Sequence, residues 1–410
     1  MSEPLLIIGN GMATARLVDE LTKCAQGRYA IAVIGEEPAL AYNRVLLSSL
    51  LAGAVGETDI ELKPRAWWEA KGVTLVYGRR ATEIDTGTRE VRLEGGATLG
   101  YSKLVLATGS EPIRLPLPGA DLPGVLTFRT RRDVADMLSR SRAGMRAIVI
   151  GGGLLGLEAA YGLNKAGAEV TVVHLMDRLM ERQLDPRSAG MLKVALEDIG
   201  IRVELNAESA AVEGRKDVSG LRLADERILE ADLIIMAAGI RPRAGLAQGA
   251  GIDVKRGIVV DNQLQTSAAD VYAIGECAEH RGICYGLVEP AYDQARVLAR
   301  HLAGESGCYE GSLLATNLKV SGINVFSAGD FAGASGSEPI LLTDAERGSY
   351  RKLILKDGRL AGALLLGDTA DALWYLDLIR SGQPISEIRE GLVFGRAFCE
   401  PPAPHTAEAA

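Results

Sequence analysis

The chain has 410 residues, a length that predicts two or three domains rather than one core. Apolar residues make up 47% and charged residues 24%, which is the balance of a soluble globular protein. The 48 glycines and only 5% aromatics favour an α/β fold with many tight turns. The net charge of −8 argues against nucleic acid or anionic membrane as a partner, because both bind basic surfaces.

The first residues and the cysteines predict a cytoplasmic protein. The start of the chain lacks the positive charge of a signal peptide. The apolar stretch 147–163 is shorter than the roughly 20 residues that a membrane span requires. The five cysteines show no C-x-x-C spacing, so they are typical of reduced thiols and indicate neither a disulfide framework nor a metal site.

An apolar strand, a glycine-rich turn and a helix occur twice in the sequence. The first set begins with the strand 5–8, and the second begins with the strand 147–150. Each set continues into a second strand and later into an apolar strand, which runs into Gly109 in the first set and Gly239 in the second. The repeat predicts two doubly wound, Rossmann-like sheets.

The second unit is predicted to be inserted into the first. A further strand-like run at 271–274 is not needed by the second unit, so it is assigned to the first sheet. From about residue 313 the alternation of polar and apolar residues and a hairpin signal at 356–358 predict a third, α+β domain. The predicted domains are a discontinuous first domain (1–113 and 244–312), a second domain (114–243), a C-terminal α+β domain (313–398) and a disordered tail (399–410).

The first glycine turn has the features of a dinucleotide-binding site. Gly9 and Gly11 let the backbone approach a pyrophosphate, and the following helix offers free N–H groups. Thr14 replaces the usual third glycine, so this helix is expected to lie slightly farther from the strand. Glu36 ends the second strand, where a carboxylate accepts both ribose hydroxyls. The alternative is an ordinary turn with a surface glutamate.

The second glycine turn is a complete fingerprint. Gly151, Gly153 and Gly156 follow the G-x-G-x-x-G pattern between a strand and a helix, which also explains the apolar stretch without a membrane. A glycine-rich helix start of structural origin is the alternative. Two such sites in one chain predict two redox cofactors, commonly a flavin and a nicotinamide, since a flavin accepts hydride from NAD(P)H.

Further motifs resemble those of the two-dinucleotide-binding flavoprotein reductases, over residues 4–398. The segments 107–109 and 237–242 are similar to the linker motifs of that superfamily, and 271–276 is similar to its late flavin-binding motif. Glu276 departs from the aspartate of most members. The resemblance implies that the first unit binds FAD and the second binds NAD(P)H.

Three segments narrow the resemblance to the flavin part of the NAD(P)H-dependent assimilatory nitrite reductase large subunit and the assimilatory nitrate reductase electron-transfer subunit. They are residues 41–49, residues 173–176 together with 179–185, and residues 275–282. The chain is expected to lack the iron–sulfur and sirohaem regions of the nitrite reductases. The resemblance therefore implies a separate acceptor: an iron–sulfur, haem or molybdenum protein, such as a nitrate or nitrite reductase subunit, a ferredoxin or a haemoglobin.

The resemblance also implies roles for residues around the flavin. Disulfide reductases of the superfamily carry a redox cysteine near 42–49, and this sequence has none there, so a thiol relay is excluded. Ferredoxin-reductase-like members often have lysine at Ser49, paired with the equivalent of Glu158. Here Glu158 is expected to contact the nicotinamide ribose or amide, or else to cap a helix turn. Arg44 is expected to neutralise the FAD pyrophosphate, or else to be solvated.

The choice of nicotinamide depends on His174, which ends the second strand of the second unit. NAD enzymes usually carry an acidic residue there and NADP enzymes often an arginine. In an NADH site, the neutral imidazole of His174 would hydrogen-bond a ribose hydroxyl. In an NADPH site, Arg178 or Arg182 would contact the 2′-phosphate. The residues leave NADH and NADPH open, and the resemblance favours NADH.

These patterns together predict a cytoplasmic FAD-dependent NAD(P)H:acceptor oxidoreductase in nitrate or nitrite assimilation. No side chain is expected to act as acid or base, and no metal site is expected. An NADH oxidase that reduces oxygen and a non-catalytic nucleotide-binding redox sensor are the alternatives, and the oligomeric state stays open. The third domain is expected to help dock the acceptor through Lys319, Arg347, Arg351 and Lys352. The expected cofactor-binding residues are Gly9, Gly11, Met12, Ala13, Glu36, Arg44, Ser49, Ala81, Ala107, Thr108, Gly109, Gly151, Gly153, Gly156, Glu158, His174, Ala238, Gly239, Gly275 and Glu276.

Overall fold

The computed structural model describes residues 2–320 and 322–399. The tail predicted for 399–410 lies, apart from Cys399, outside this part of the chain. The first elements are β1 Glu3–Ile8, α1 Met12–Cys24, β2 Tyr29–Gly35, α2 Leu47–Leu51, α3 Arg65–Ala70, β3 Thr74–Tyr77, β4 Ala81–Asp85, β5 Glu90–Leu93, β6 Thr98–Gly100, β7 Lys103–Leu106 and β8 Ser110–Pro112.

The second unit contains another parallel sheet, in the order β12-β11-β10-β16-β9, and a small antiparallel sheet, β13-β14-β15. Its elements are β9 Val125–Thr127, α4 Arg131–Arg140, β10 Arg146–Ile150, α5 Leu154–Lys165, β11 Glu169–Val173, α6 Pro186–Asp198, β12 Arg202–Glu204, β13 Ser209–Gly214, β14 Val218–Leu223, β15 Ile228–Glu230, β16 Leu233–Met236 and β17 Ile240–Pro242. β17 pairs antiparallel with β8, where the chain leaves and re-enters the first unit.

The next elements follow the second unit in sequence, and one of them joins the first sheet. They are α7 Gly245–Gly249, β18 Ile258–Val260, β19 Val271–Ala273, β20 Ala278–His280 and α8 Val288–Ala303. β19 pairs in parallel with β7, which gives the strand order β19-β7-β1-β2-β3. The first sheet thus includes a strand that follows the second unit in sequence, while the exact domain limits stay predictions.

The last elements form an antiparallel sheet, in the order β21-β22-β25-β24-β23, with one helix. They are β21 Ala315–Val320, β22 Ile323–Gly329, β23 Glu338–Asp344, β24 Ser349–Lys356, β25 Arg359–Leu366 and α9 Ala372–Ser381. Asp357 and Gly358 both have positive φ angles, 50° and 69°, as a two-residue hairpin turn requires. The predicted fold class is confirmed: two Rossmann-like units and an α+β domain.

The central strands of both parallel sheets are buried on both faces, which explains their unbroken apolar sequences. Leu5 and Ile7 of β1 are at most 1% exposed, as are Ile148 and Val149 of β10. The stretch 147–163 is strand β10, a glycine turn and most of α5. Within the described residues, no helix is long and apolar enough to cross a membrane.

Candidate cofactor and nucleotide sites

The first glycine turn leaves an open space at the start of α1. Gly9 has φ +115°, and a Cβ added to it would lie 2.0 Å from the carbonyl oxygen of Ala107, so only glycine fits. Gly11 is the N-cap of α1, without a side-chain cap, and no described atom lies within 4 Å of the position of its missing Cβ. Free N–H groups therefore face an open cradle, and this arrangement fits a pyrophosphate.

Thr14 is accommodated by a hydrogen bond to the turn itself. Its buried hydroxyl donates to the carbonyl oxygen of Gly9 at 2.5 Å. Threonine can therefore stand in place of the third fingerprint glycine, because this hydrogen bond keeps the free-energy cost of burying its hydroxyl low.

The second glycine turn repeats the cradle with less room behind it. Gly151 has φ +122°, and its added Cβ would lie 2.3 Å from the carbonyl oxygen of Ala237. An added Cβ at Gly156 would lie 2.0 Å from the carbonyl oxygen of Gly151. Gly153 is the N-cap of α5, and its Cβ position is free of described atoms within 4 Å. This turn also fits a pyrophosphate.

Glu36 directly follows β2, at the carboxyl edge of the first sheet. Its half-exposed carboxylate is paired with Arg243 at 2.7 Å. The backbone carbonyl of Arg243 accepts a hydrogen bond from the Thr108 hydroxyl at 2.7 Å, and its N–H donates to Gly109. Arg243 thus joins two predicted FAD-contact regions. Sequence reasoning missed it because its partners are remote in the chain.

Glu276 lies where the two units meet. Its carboxylate accepts a hydrogen bond from the Ser110 hydroxyl at 2.9 Å and forms an ion pair with Arg129. Arg129 follows β9 of the second unit, so this contact links the late flavin motif to the other domain. Sequence reasoning missed Arg129 as well, since nothing in its local sequence marks it.

Arg44 belongs to the same polar network. Its guanidinium pairs with Glu37 at 2.6 Å and donates to the hydroxyl of Tyr42 at 3.0 Å and to the backbone carbonyl of Arg129 at 2.9 Å. These partners hold the side chain at the junction of the two units. Its contact with the FAD pyrophosphate stays a prediction.

Glu158 faces the first unit across the contact between α5 and α2. A Cβ added to Gly162 would lie 2.6 Å from Cγ of Leu51, so the two helices approach closely. Glu158 is 9% exposed, and its carboxyl interacts with the hydroxyl of Ser48, next to Ser49. Burial raises the pKa of Glu158 to about 7, and the hydrogen bond from Ser48 opposes this only in part.

Several of the remaining predicted contacts lie at strand ends around the two turns. Gly275, with φ +81°, would place an added Cβ 3.3 Å from Cβ of Ala13, and its N–H donates to Gln294 at 2.7 Å. Ala107 follows β7, and Ala238 follows β16. The others are Met12, which begins α1, Ala81, which begins β4, and Gly239, which precedes β17.

His174 lies beneath the second glycine turn and is 9% exposed. Its Nδ1 accepts the N–H of Gly152 at 3.0 Å, and its Nε2 lies 3.2 Å from the carboxylate of Glu181. Both ring nitrogens therefore have protein partners. Glu181 was missed in the sequence because it stands seven positions beyond the strand end, where acidic ribose ligands are usually sought.

The predicted basic docking patch is wrong for Arg351. This side chain is buried, and it donates to the hydroxyl of Tyr375 and the backbone carbonyl of Val393, both at 3.0 Å. Lys352 is largely buried and lies 3.5 Å from Asp185. Arg351 lies on the same face of β24 as Leu353 and Leu355, which belong to the buried core of the C-terminal domain, so this face is closed to a docking partner.

The described part of the chain contains no group of three or more His, Cys, Asp or Glu side chains that could hold a metal ion. Cys24, Cys277, Cys284 and Cys308 are free thiols. Burial raises the pKa of the Cys277 thiol, which keeps it in its unreactive, protonated form.

Fold and site together define the class: an oxidoreductase with one dinucleotide cradle in each of two Rossmann-like units. A family profile described as pyridine nucleotide-disulphide oxidoreductase matches residues 3–297, and one described as rubredoxin NAD+ reductase C-terminal domain matches 315–383. The chain belongs to the pyridine nucleotide-disulphide oxidoreductase family and is an FAD/NAD(P)H oxidoreductase of the ferredoxin-reductase type. The resemblance inferred from the sequence is confirmed.

Two curated relatives are similar over nearly the whole chain. The NAD(P)H nitrite reductase of Bacillus subtilis is 44% identical over 384 residues, which cover 93% of this chain and 48% of the relative. The assimilatory nitrate reductase electron transfer subunit of the same organism is 41% identical over 391 residues, which cover 95% and 51%. The chain thus spans about half the length of these relatives.

Solved structures share the complete fold. The ferredoxin reductase for the CYP199A2 system from Rhodopseudomonas palustris has a TM-score of 0.85 and 28% identity, covering 96% of this chain and 100% of that one. The reductase in a covalent putidaredoxin reductase–putidaredoxin complex has a TM-score of 0.86 and 24% identity, covering 96% of each chain.

Proposed function

We propose that this chain is an NADH:acceptor oxidoreductase that uses FAD and passes electrons to a separate redox protein in nitrate or nitrite assimilation. The observation that carries the proposal is the pair of open glycine cradles, one in each unit, on domains that meet through α2 and α5. Such a junction suits a reaction between two dinucleotides, because it can align their rings and exclude water.

FAD is assigned to the first cradle. Gly9 and Gly11 would lie against its pyrophosphate, Glu36 would accept its ribose hydroxyls, and Glu276 would meet its ribityl chain. When bound, FAD supplies a two-electron acceptor that can release electrons singly or in pairs. The protein's own contribution is to hold the ring at the junction, where Arg129 and Arg44 tie the two units together.

The nicotinamide dinucleotide is assigned to the second cradle at Gly151, Gly153 and Gly156. Glu158 then lies on the same helix, one turn further on and directed at α2. A carboxyl that is protonated near neutral pH can donate a hydrogen bond as well as accept one, which suits recognition of a carboxamide. No side chain of the chain is assigned as an acid or base for hydride transfer.

The acceptor is assigned as a separate redox protein. Two relatives bear names from nitrite reduction and from electron transfer to nitrate reductase. The segment 42–49 holds no cysteine, so a thiol does not relay the electrons. The cytoplasm is the proposed location, since free thiols such as those of Cys24, Cys277, Cys284 and Cys308 suit a reducing compartment.

The test is reduction of candidate acceptors under argon. NADH should bleach the yellow protein, and stopped-flow mixing should then show fast electron transfer to a ferredoxin, a haemoglobin or a nitrate or nitrite reductase subunit. Fast oxidation by oxygen, with none of these proteins reduced, would instead identify an NADH oxidase. A protein that binds both dinucleotides without bleaching would be a redox sensor.

A further inference from the structure

The segment 175–184, which follows β11, is attached to the second glycine turn. The N–H of Met180 donates to the carbonyl oxygen of Gly152 at 3.0 Å, while the N–H of Gly152 donates to His174. A Cβ added to Gly152 would lie 2.7 Å from His174 Cγ and 2.7 Å from Leu179 Cδ2. The missing side chain of Gly152 thus creates the space that the imidazole and the leucine fill.

Met180 fixes the direction of this segment. It is fully buried and has φ +49°, a left-handed conformation that a non-glycine residue adopts only when its surroundings demand it. Its N–H is bonded to Gly152, and its carbonyl oxygen accepts from the N–H groups of Gln183 and Leu184. The backbone of the next residue, Glu181, is therefore held at a set position beside the turn.

The carboxylate of Glu181 is positioned by His174. Because Nδ1 accepts a hydrogen from the backbone, Nε2 carries the ring hydrogen and donates it to Oε2 of Glu181 at 3.2 Å. No other described atom bonds this carboxylate, whose side chain is 27% exposed. Glu181 thus presents acceptor capacity to solvent at the carboxyl edge of the sheet, beside the glycine cradle.

The arginines of the same segment differ in this respect. Arg178 is paired with its neighbour Asp177 at 2.9 Å, and Arg182 is exposed. Neither is fixed to the glycine turn by a hydrogen bond of its side chain, whereas Glu181 is fixed through His174. A preorganised carboxylate at this edge favours a ribose 2′-hydroxyl and repels a 2′-phosphate.

We propose that Glu181, positioned by His174, accepts the 2′-hydroxyl of the adenosine ribose and makes the second cradle selective for NADH over NADPH. This inference rests on the proposed function, because it assigns the nicotinamide dinucleotide to that cradle. Glu181 is the specificity residue, and His174 is a positioning residue that does not itself touch the ribose.

Glu181→Gln tests the carboxylate, because glutamine keeps the shape and an oxygen for His174. We expect kcat/KM for NADH to fall about tenfold, equivalent to about 1.4 kcal/mol, and the NADH-to-NADPH ratio to fall by at least as much. The effect should lie in KM rather than kcat. Glu197→Gln, on the surface of α6 and paired with Lys193, is the matched control and should leave the ratio unchanged.

A binding measurement separates this inference from the proposed function. Calorimetric titration of the FAD-loaded protein with ADP-ribose and with 2′-phospho-ADP-ribose reports ribose recognition without redox chemistry. The wild type should prefer ADP-ribose, and Glu181→Gln should lose most of that preference. If the wild type and Glu181→Gln prefer ADP-ribose to the same degree, the role of Glu181 is overturned, even if NADH reduces the flavin. Failure of NADH to reduce the flavin would instead overturn the proposed function.

The positioning role of His174 is tested by two variants. His174→Leu removes both ring hydrogen bonds and should lower the ADP-ribose preference as Glu181→Gln does. His174→Gln keeps one acceptor and one donor and should restore most of it. If both variants lose the ADP-ribose preference equally while their FAD content is unchanged, then His174 does not position Glu181 through its hydrogen bonds.

Discussion

The two dinucleotide-binding units use the same turn with different side chains behind it. Gly9 and Gly151 have nearly the same φ angles, +115° and +122°, and both approach the backbone of a neighbouring strand end. Five residues later, Thr14 donates a hydrogen bond to Gly9, whereas at Gly156 even a Cβ would lie 2.0 Å from Gly151. The backbone geometry of the turn is therefore nearly the same in both units, while the side chain at the third fingerprint position differs.

The units also differ in where the carboxylate beside the glycine turn comes from in the sequence. In the first, Glu36 directly follows the strand and is half exposed, with Arg243 as its partner. In the second, the strand is followed by a buried histidine, and Glu181 lies seven positions after that histidine. An acidic residue can thus reach the same edge of a sheet from two different places in the sequence.

The largest effect on stability is expected when the second turn receives the threonine that the first turn has at the third fingerprint position. Gly156→Thr places a side chain against the carbonyl of Gly151, and we expect the free energy of unfolding to fall by about 3 kcal/mol or more. Urea unfolding followed by circular dichroism measures it. Gly190→Ala, in the middle of α6 with no described atom near its Cβ position, is the control and should stabilise by about 0.5–1 kcal/mol. If the Gly156→Thr protein is as stable as the wild type, α5 can shift away from the turn and make room for the threonine.

The residue seven positions after the first glycine offers a second contrast. It is Arg16 in the first unit, on the surface and paired with Glu20, and Glu158 in the second, buried against α2. Burial raises the pKa of Glu158 from its usual 4.5 to about 7. Between these values the unfolded chain releases the proton while the folded one keeps it, so this group's contribution to stability falls as the pH rises.

Glu158→Gln should therefore match the wild type in stability near pH 4.5 and exceed it by about 2–3 kcal/mol at pH 8, at about 1.4 kcal/mol per pKa unit. Urea midpoints of the FAD-saturated protein at several pH values provide the measurement. Arg16→Gln, which breaks the ion pair with Glu20 and the contact with the Tyr292 ring, should change stability by about 1 kcal/mol, with little dependence on pH. A pH-independent gain for Glu158→Gln would contradict the buried, titrating carboxyl.

The exposed carboxylate of the first unit should give the smallest effect. Glu36→Ala removes a charge-assisted acceptor, and we expect FAD binding to weaken by about 1.5–2 kcal/mol. FAD content after extensive dialysis reports it, with Glu69→Ala on α3 as an exposed control from the same unit. Full FAD occupancy of Glu36→Ala would show that Arg243, and not the ribose, is the functional partner of this carboxylate.

Local sequence was enough to predict the two units because their turns demand glycine at fixed places. The strand at 271–273 lies in the first sheet, as predicted from its apolar pattern and from the fact that the second unit does not need it. Arg129 and Arg243 were out of reach, since each gains its partner only when remote segments fold together. Glu181 is only seven positions from its partner His174, but the sequence does not indicate the backbone bend at Met180 that brings the two together. The prediction that Arg351 is exposed was wrong for a related reason. The sequence does not indicate which face of the sheet a charged residue on a strand next to the edge will occupy.

The pairing of β8 with β17 has a consequence for the history and engineering of the chain. Pro112 and Ile240 are opposite each other in this pair, so about 5 Å separates the points where the polypeptide leaves for the second unit and returns. The 127 residues between these two points are thus connected to the first unit through two paired strands. A different unit inserted between 112 and 240 would keep the β8–β17 pair, but it would also have to replace the contacts of Arg129 with Glu276 and of α5 with α2.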